Sequence, residues 1–248
     1  MKRIAFCMRG AVSKSFGAFQ RQGDLYNNGD YVDYVACRNS IFRHIIEPNT
    51  KDYEFYIFCH CWNTDLENDI VNLYNPLKYK FEDNRIYNDE INLVCHDPVN
   101  FSGISQSLSI KNSIQLKEEY ERETNTQFDM VISNRYDVLI WKDMLFDKYN
   151  NLDDVLYVDN HNCNGTGEFH FVMNNYNSFK FKYLFDSLFA RHKYQVHFWI
   201  KHYVELFMKK RMIPDNITPG HHIEAMRKIY DSINSGYLTI EQLNSYKL

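Results

Sequence analysis

No stretch of this chain is apolar for long enough to cross a bilayer. Its opening Met-Lys-Arg leads only into the short run Ile4-Ala5-Phe6-Cys7, too brief for the core of a secretory signal. The expectation is a cytoplasmic protein with no transmembrane segment. A basic excess is lacking too: 28 Lys and Arg stand against 32 Asp and Glu, for a net charge of −4. With no cationic stripe to track a phosphate backbone, no nucleic-acid partner is expected. Neither a Walker A loop nor a Rossmann glycine fingerprint occurs, which makes a P-loop sulfo- or phosphotransferase a poor reading. Nothing reads as a domain linker, so the 248 residues are expected to form a single domain. The six cysteines, at 7, 37, 59, 61, 95 and 163, are expected to be reduced. Cys59-His60-Cys61 has the wrong spacing for a tetrahedral zinc site, and buried strand cysteines are the plainer reading.

What is present suffices for a full core: 44% of residues are hydrophobic and 16% aromatic. Residues 3–8 read as a first, central strand ending at Arg9-Gly10, with the polar segment 17–30 looping over its end. A helix is predicted over 31–46, where Val32, Val35, Ala36, Phe42 and Ile46 recur at helical period before Glu47-Pro48 stops it. A strand over 55–58, a helix over 65–74 and a short edge strand over 78–82 complete a β-α-β-α-β order, which argues a mainly parallel sheet with helices on its faces. Residues 84–103 read as irregular, and 105–122 as a long amphipathic helix. After strands at 155–158 and 168–173, the C-terminal part reads as helical: 176–190, 195–210 and a final helix from 223. His197, His202, His221 and His222 are expected to be packed rather than ligating.

Residues 128–141 are the focus of the chain. Met130-Val131-Ile132 has the character of a strand buried on both faces, and Val138-Leu139-Ile140 is a second apolar run. Between them stand Asn134, Arg135 and Asp137. A carboxylate and a guanidinium at the end of a core strand are costly to bury without partners or work, and strand carboxyl ends are where open α/β sheets take ligands. Arg135 and Asp137 are therefore read as the floor of a site for a phosphorylated, metal-bound donor. The competing reading is a structural Arg–Asp pair. Arg9 can bind a phosphate and Gly10 allows close backbone approach to a ligand, against an ordinary strand-to-loop turn.

Four segments together resemble the sugar-transfer enzymes of bacterial and large-virus surface-polysaccharide synthesis. These are Ile4–Gly10; Phe58-Cys59-His60-Cys61-Trp62 with Leu73-Tyr74-Asn75-Pro76 and Phe81-Glu82; Gln106 and Ser109 with residues 128–137; and Gly167-Glu168-Phe169-His170-Phe171-Val172-Met173. The resemblance implies a Rossmann-like, GT-A-type α/β domain. In it, residues 1–125 would form a nucleotide-binding half, and 126–248 an acceptor half with C-terminal helices. It implies a glycosyltransferase (hexosyl- or pentosyltransferase) taking a nucleotide-sugar donor, a glycan or glycoprotein acceptor and a divalent cation, Mn²⁺ or Mg²⁺. Where such enzymes carry Asp-x-Asp, this chain has Arg135-Tyr136-Asp137, so Arg135 is expected to take over part of the metal's charge neutralisation.

Transfer from a nucleotide-sugar needs the leaving diphosphate stabilised and, in an inverting reaction, the acceptor hydroxyl deprotonated. The candidates are Asp137 as metal ligand, Arg135, Arg9 and Gly10 toward the donor nucleotide, and Glu168 as catalytic base against a solvated strand-start residue. Trp62 is a candidate for stacking on a base or sugar, against simple packing, and His170 is a weaker candidate for base or ligand. A non-catalytic nucleotide- or carbohydrate-binding protein on the same scaffold is the alternative from a different class.

Overall fold

A computed structural model of the chain describes residues 1–12, 31–94, 101–159, 166–188, 196–215, 223–226, 233, 235–236 and 239–245. Nine strands are described: β1 (Lys2–Gly10), β2 (Tyr53–Cys61), β3 (Lys78–Phe81), β4 (Met130–Arg135), β5 (Val138–Ile140), β6 (Val155–Val158), β7 (His170–Met173), β8 (Arg211–Pro214) and β9 (Ile223–Ala225). The helices are α1 (Tyr34–Ile41), α2 (Glu67–Tyr74), α3 (Asn88–Val94), α4 (Phe101–Thr124), α5 (Asn175–Phe181), α6 (Leu184–Ser187), α7 (Val196–His202) and α8 (Ile240–Asn244).

Seven strands form one sheet in the order β3-β2-β1-β4-β7-β6-β8. β1 pairs parallel with β2 and with β4, and β2 pairs parallel with β3. Only β7 runs against its neighbours, β4 and β6. The expectation of a mainly parallel sheet flanked by helices is met. β1 is central, β3 is an edge strand, and Ile4 through Met8 have no exposed surface. Alternation along β1 divides the core in two, as strand geometry requires. Ile4, Phe6 and Met8 face the layer holding Ala36, Ile41 and Ile70, while Ala5 and Cys7 face the layer under Leu108, Ile114 and Phe181.

α1 begins where Asp33 caps it, its carboxylate accepting from the Ala36 amide at 3.0 Å. It continues through the π-helical turn Phe42–Ile46. α4 lies across β1 and β2. Its buried Ser105, Ser109 and Ser113 are small enough to bring the helix close to the strand ends.

The structure corrects three expectations and adds one strand, over 211–214, to a stretch left unassigned. Residues 88–94, read as irregular, form α3, whose buried Ile91 and Val94 sit in the second core layer. The predicted helix over 176–190 breaks between α5 and α6. After the helical segment ending at Phe207, residues 211–214 leave helical structure and add β8 in parallel to the edge of β6, where Pro214 is tolerated because an edge strand can spare an amide. Residues 223–225 form β9, paired with β5 in a separate two-stranded ribbon, rather than starting a helix. The segments 13–30, 95–100 and 160–165, together with Cys95, Cys163, His221 and His222, lie outside the described residues. Cys7, Cys37, Cys59 and Cys61 are free and buried. Among the described residues, no helix is long and apolar enough to cross a membrane.

Candidate functional site

From β1 the chain steps outward to β2 and β3 on one side, then returns by α4 to place β4 on the other side of β1. The direction of strand addition therefore reverses between β1 and β4. The crevice beyond the carboxyl ends at such a reversal is the habitual ligand site of open α/β sheets. Arg9 and Arg135 are cross-strand partners at those two ends. Antiparallel β7 starts from the same side, because its first residue, His170, lies opposite Asn134. That register delivers Glu168, two residues before β7, to the two arginines. Asp159, directly after β6, arrives beside them.

Both guanidiniums are almost wholly enclosed. Arg9 donates from Nε to Ser133 Oγ at 2.9 Å and from Nη2 to the backbone oxygen of Glu168 at 2.6 Å. Its Nη1 is buried without a hydrogen-bond partner among the described residues. Burial, and after it the neighbouring Arg135, lowers the Arg9 pKa to about 9, so the group is still charged at neutral pH. Arg135 grips Asp137 through a two-pronged contact, Nε to Oδ1 at 2.7 Å and Nη2 to Oδ2 at 2.6 Å. Burial works against its charge, but Asp137 outweighs burial and holds its pKa above the ordinary arginine value. From Nη1 it reaches Gln106 Oε1 at 3.4 Å and Glu168 Oε1 at 3.3 Å. Arg9 and Arg135 also lie over the rings of Phe171 and Phe169, 5.5 and 4.9 Å from the centroids.

Gly10 occupies the left-handed region at φ 100°, with open space where a Cβ would be. Its amide donates to Ser109 Oγ at 2.8 Å and its carbonyl accepts from the Trp62 amide. Glu168 keeps 13% of its side chain exposed, and its Oε2 lies 3.5 Å from His197 Nδ1. Gln106 anchors its backbone by donating to the Glu168 carbonyl at 3.0 Å. Arg9, Arg135, Asp137 and Glu168 are thus brought together, with Gly10 at the rim.

Two candidate roles do not fit this geometry. Trp62 is only 3% exposed, its ring wedged edge-on between His60 at 4.4 Å and Tyr87 at 5.9 Å, so it packs instead of offering a face to a ligand. Asp137 has both carboxylate oxygens engaged by Arg135, and no group of three His, Cys, Asp or Glu side chains able to hold a metal ion is found among the described residues. The residues present do not fit a divalent cation on Asp137, and no step is routed through one. His170 is fully buried, with Nδ1 3.0 Å from Asn134 Oδ1, as a packed residue would be.

Asp159 was not singled out from the sequence. It is 2% exposed; its Oδ1 accepts from the amides of Phe169 and His170 at 2.8 and 3.1 Å, and its Oδ2 is buried without a partner among the described residues. Burial raises its pKa to about 6 against the pull of those two amides. A Cβ at Gly167 would collide with the Asp159 carbonyl and carboxyl, so glycine there permits the close approach of the backbone at 167 to this acid. The signal was available: an acid directly after the apolar run Val155–Val158 obeys the same logic that singled out Asp137. His197, read as packed, instead lies against Glu168.

No family model matches the chain, and no curated protein matches it. Among solved structures it is similar to a nucleoside-diphosphate-sugar pyrophosphorylase from Vibrio cholerae RC9. The two share 11% identity over 98% of this chain and 99% of the other, with a TM-score of 0.43.

Proposed function

We propose that the chain is a glycosyltransferase that moves a sugar from a nucleotide-sugar donor to a glycan or glycoprotein acceptor, using arginines where related chemistries use a metal. The observation that carries this reading is the pair Arg9 and Arg135 at adjacent strand ends, on the reversal point of the sheet, with Arg9 Nη1 lacking a partner among the described residues. A buried cationic donor without an acceptor calls for an explanation, and a phosphate oxygen supplies one.

In this reading the donor diphosphate lies against Arg9 and the open backbone of Gly10. Asp137 is a positioning residue whose carboxylate holds the Arg135 fork in place. Glu168 accepts the proton of the acceptor hydroxyl as that oxygen bonds to the sugar's anomeric carbon. The bond from that carbon to the phosphate oxygen breaks, and its electron pair leaves on the diphosphate, whose added charge Arg9 and Arg135 neutralise. Residues from both the 1–125 half and the 126–248 half take part.

The second reading, a non-catalytic nucleotide- or carbohydrate-binding protein, is favoured by one observation: Asp137 is fully occupied by Arg135. Assay of donor cleavage and transfer over a panel of nucleotide-sugars and glycans separates the two. The proposal expects turnover that Glu168→Gln lowers and donor binding that Glu168→Gln retains. Donor binding without turnover for any pair would leave the binding-protein reading standing.

A further inference from the structure

The C-terminal helices carry a second feature that the transfer reading does not use. Among the described residues, five of the six exposed large aromatics lie between positions 176 and 207. Tyr176, Phe179 and Tyr183 are 61%, 47% and 43% exposed. Tyr176 and Phe179, three residues apart, share an outward stripe of α5, and Tyr183, in the break after α5, brings its ring 5.7 Å from that of Phe179, while Phe181, Leu184 and Phe185 fill the inward side. Leu206 and Phe207, at 58% and 53%, continue the exposed surface in the turn after α7, and Phe198 adds to it. The two parts are tied together: the Tyr203 hydroxyl donates to the Lys180 carbonyl at 2.8 Å, and the Trp199 indole donates to Ser187 Oγ at 3.1 Å. A cluster of this kind exceeds the scattered single apolar side chains of an ordinary surface.

Its charge is opposite to that of the chain. Among the described residues of 175–211, Lys180, Lys201, Lys209, Lys210 and Arg211 stand against Asp186 and Glu205, in a protein of net charge −4; Lys182 is buried and pairs with Glu118 at 2.6 Å. One of the two acids, Asp186, is paired with Lys111 at 2.6 Å. Lys180 lies 4.6 Å from the centroid of the Tyr176 ring, so cation and aromatic belong to one surface.

We infer that this face docks on a bilayer surface carrying anionic lipid headgroups. Aromatic rings at the level of the headgroups, with lysines whose stems run along apolar surface and whose ammonium groups reach phosphate, are the side chains an interface of that chemistry selects. The helices lie on the bilayer and do not cross it, in keeping with their length. His197 stands beside Glu168 on the same helix as Phe198, so docking would bring the candidate site next to the membrane surface.

The test is co-sedimentation of the full chain with vesicles of phosphatidylcholine alone and of phosphatidylcholine with phosphatidylserine, at low and high salt. Binding is expected on the phosphatidylserine vesicles only, weakened by salt. The combined variant Lys180→Glu/Lys201→Glu is expected to bind roughly tenfold or more weakly. Tyr176→Ser/Phe179→Ser/Phe207→Ser, altered only at exposed positions and checked for folding by circular dichroism, is expected to lose binding. Equal binding to both vesicle types, no binding to either, or variants that bind like the parent would each overturn the inference. A parent that sediments as a dimer without vesicles, and a Ser variant that sediments as a monomer, would assign the face to a second copy of this chain instead.

Discussion

Two buried polar clusters sit at neighbouring strand ends of the same sheet, and they are finished differently. In the first, His60, Glu82, Asn112 and Ser109 close on one another. His60 Nδ1 lies 2.7 Å from Ser109 Oγ and Nε2 lies 2.9 Å from Glu82 Oε1. Asn112 donates to the same Glu82 oxygen at 2.8 Å, and Lys80 pairs with Oε2 at 2.6 Å. Burial presses the Glu82 pKa upward, but the His60 and Lys80 contacts outweigh it and bring the carboxyl down to about 2. The second cluster, Arg9, Arg135, Asp137, Asp159 and Glu168, leaves Arg9 Nη1 and Asp159 Oδ2 unmatched among the described residues, and Asp159 rises to about 6. A fully satisfied buried network fixes a fold; one with orphaned atoms is under-determined until something else completes it. Composition does not separate the two clusters, since both mix bases and acids at strand ends. Satisfaction does.

The contrast breaks most visibly at the two glutamates. Glu168→Gln is expected to reduce turnover by roughly 10²–10⁴-fold with little change in melting temperature, whereas Glu82→Gln is expected to lower stability and leave turnover of the folded fraction in place. Steady-state kinetics beside thermal melts read both, and exchanged phenotypes would invert the assignment. Next in size, His60→Ala leaves a buried cavity and takes one partner each from Glu82 and Ser109, with Lys80 and Asn112 still on Glu82, and is expected to cost about 3 kcal/mol in urea denaturation. A midpoint unmoved by that change would mean the closed cluster does not hold the fold.

The two acids also predict opposite pH behaviour. Glu82 has a folded pKa of about 2, below its ordinary 4.5, so its stabilisation is complete above 4.5 and is lost as pH falls through 2. Asp159 has a folded pKa of about 6, above its ordinary 3.8. Its ionisation costs nothing below 3.8, a growing amount between 3.8 and 6, and a constant amount above. Asp159→Asn should therefore match the parent at low pH and gain up to about 3 kcal/mol over it above pH 6, less the cost of burying an amide where Oδ2 lay. Urea titrations across that range decide it: parallel profiles for parent and variant would remove Asp159 from the account. Smallest of all, Trp62→Phe is expected to cost under about 1.5 kcal/mol and leave donor binding unchanged, as suits a packing ring. Weakened donor binding there would restore Trp62 as a ligand contact.

Much of this was legible in residues alone. Apolar runs bounded by polar ends gave β1, β2, β4 and β6, because burial on both faces leaves a continuous signature, and the same reading isolated Arg9, Arg135, Asp137 and Glu168. β8 and β9 escaped because each is short and is defined by a partner distant in the chain, Val155–Val158 and Val138–Ile140 respectively. The role of Trp62 was not readable, since an aromatic after a strand has the same sequence pattern whether it packs or stacks. The Arg135–Asp137 pair was readable only as one of two alternatives: two residues apart in sequence, they could have pointed to separate partners, and the fork geometry is what shows that Asp137 is consumed.

The central claim is that Arg9 and Arg135 hold the diphosphate without a metal. Calorimetric titration of nucleoside diphosphates into the parent chain and Arg9→Lys, in EDTA and in Mn²⁺, tests it most directly. The account predicts binding in EDTA, little gain from Mn²⁺, and a loss of roughly tenfold or more in Arg9→Lys, whose compact ammonium cannot reproduce the Nη1 contact. Binding that requires Mn²⁺, or that is the same in Arg9→Lys as in the parent, would contradict it.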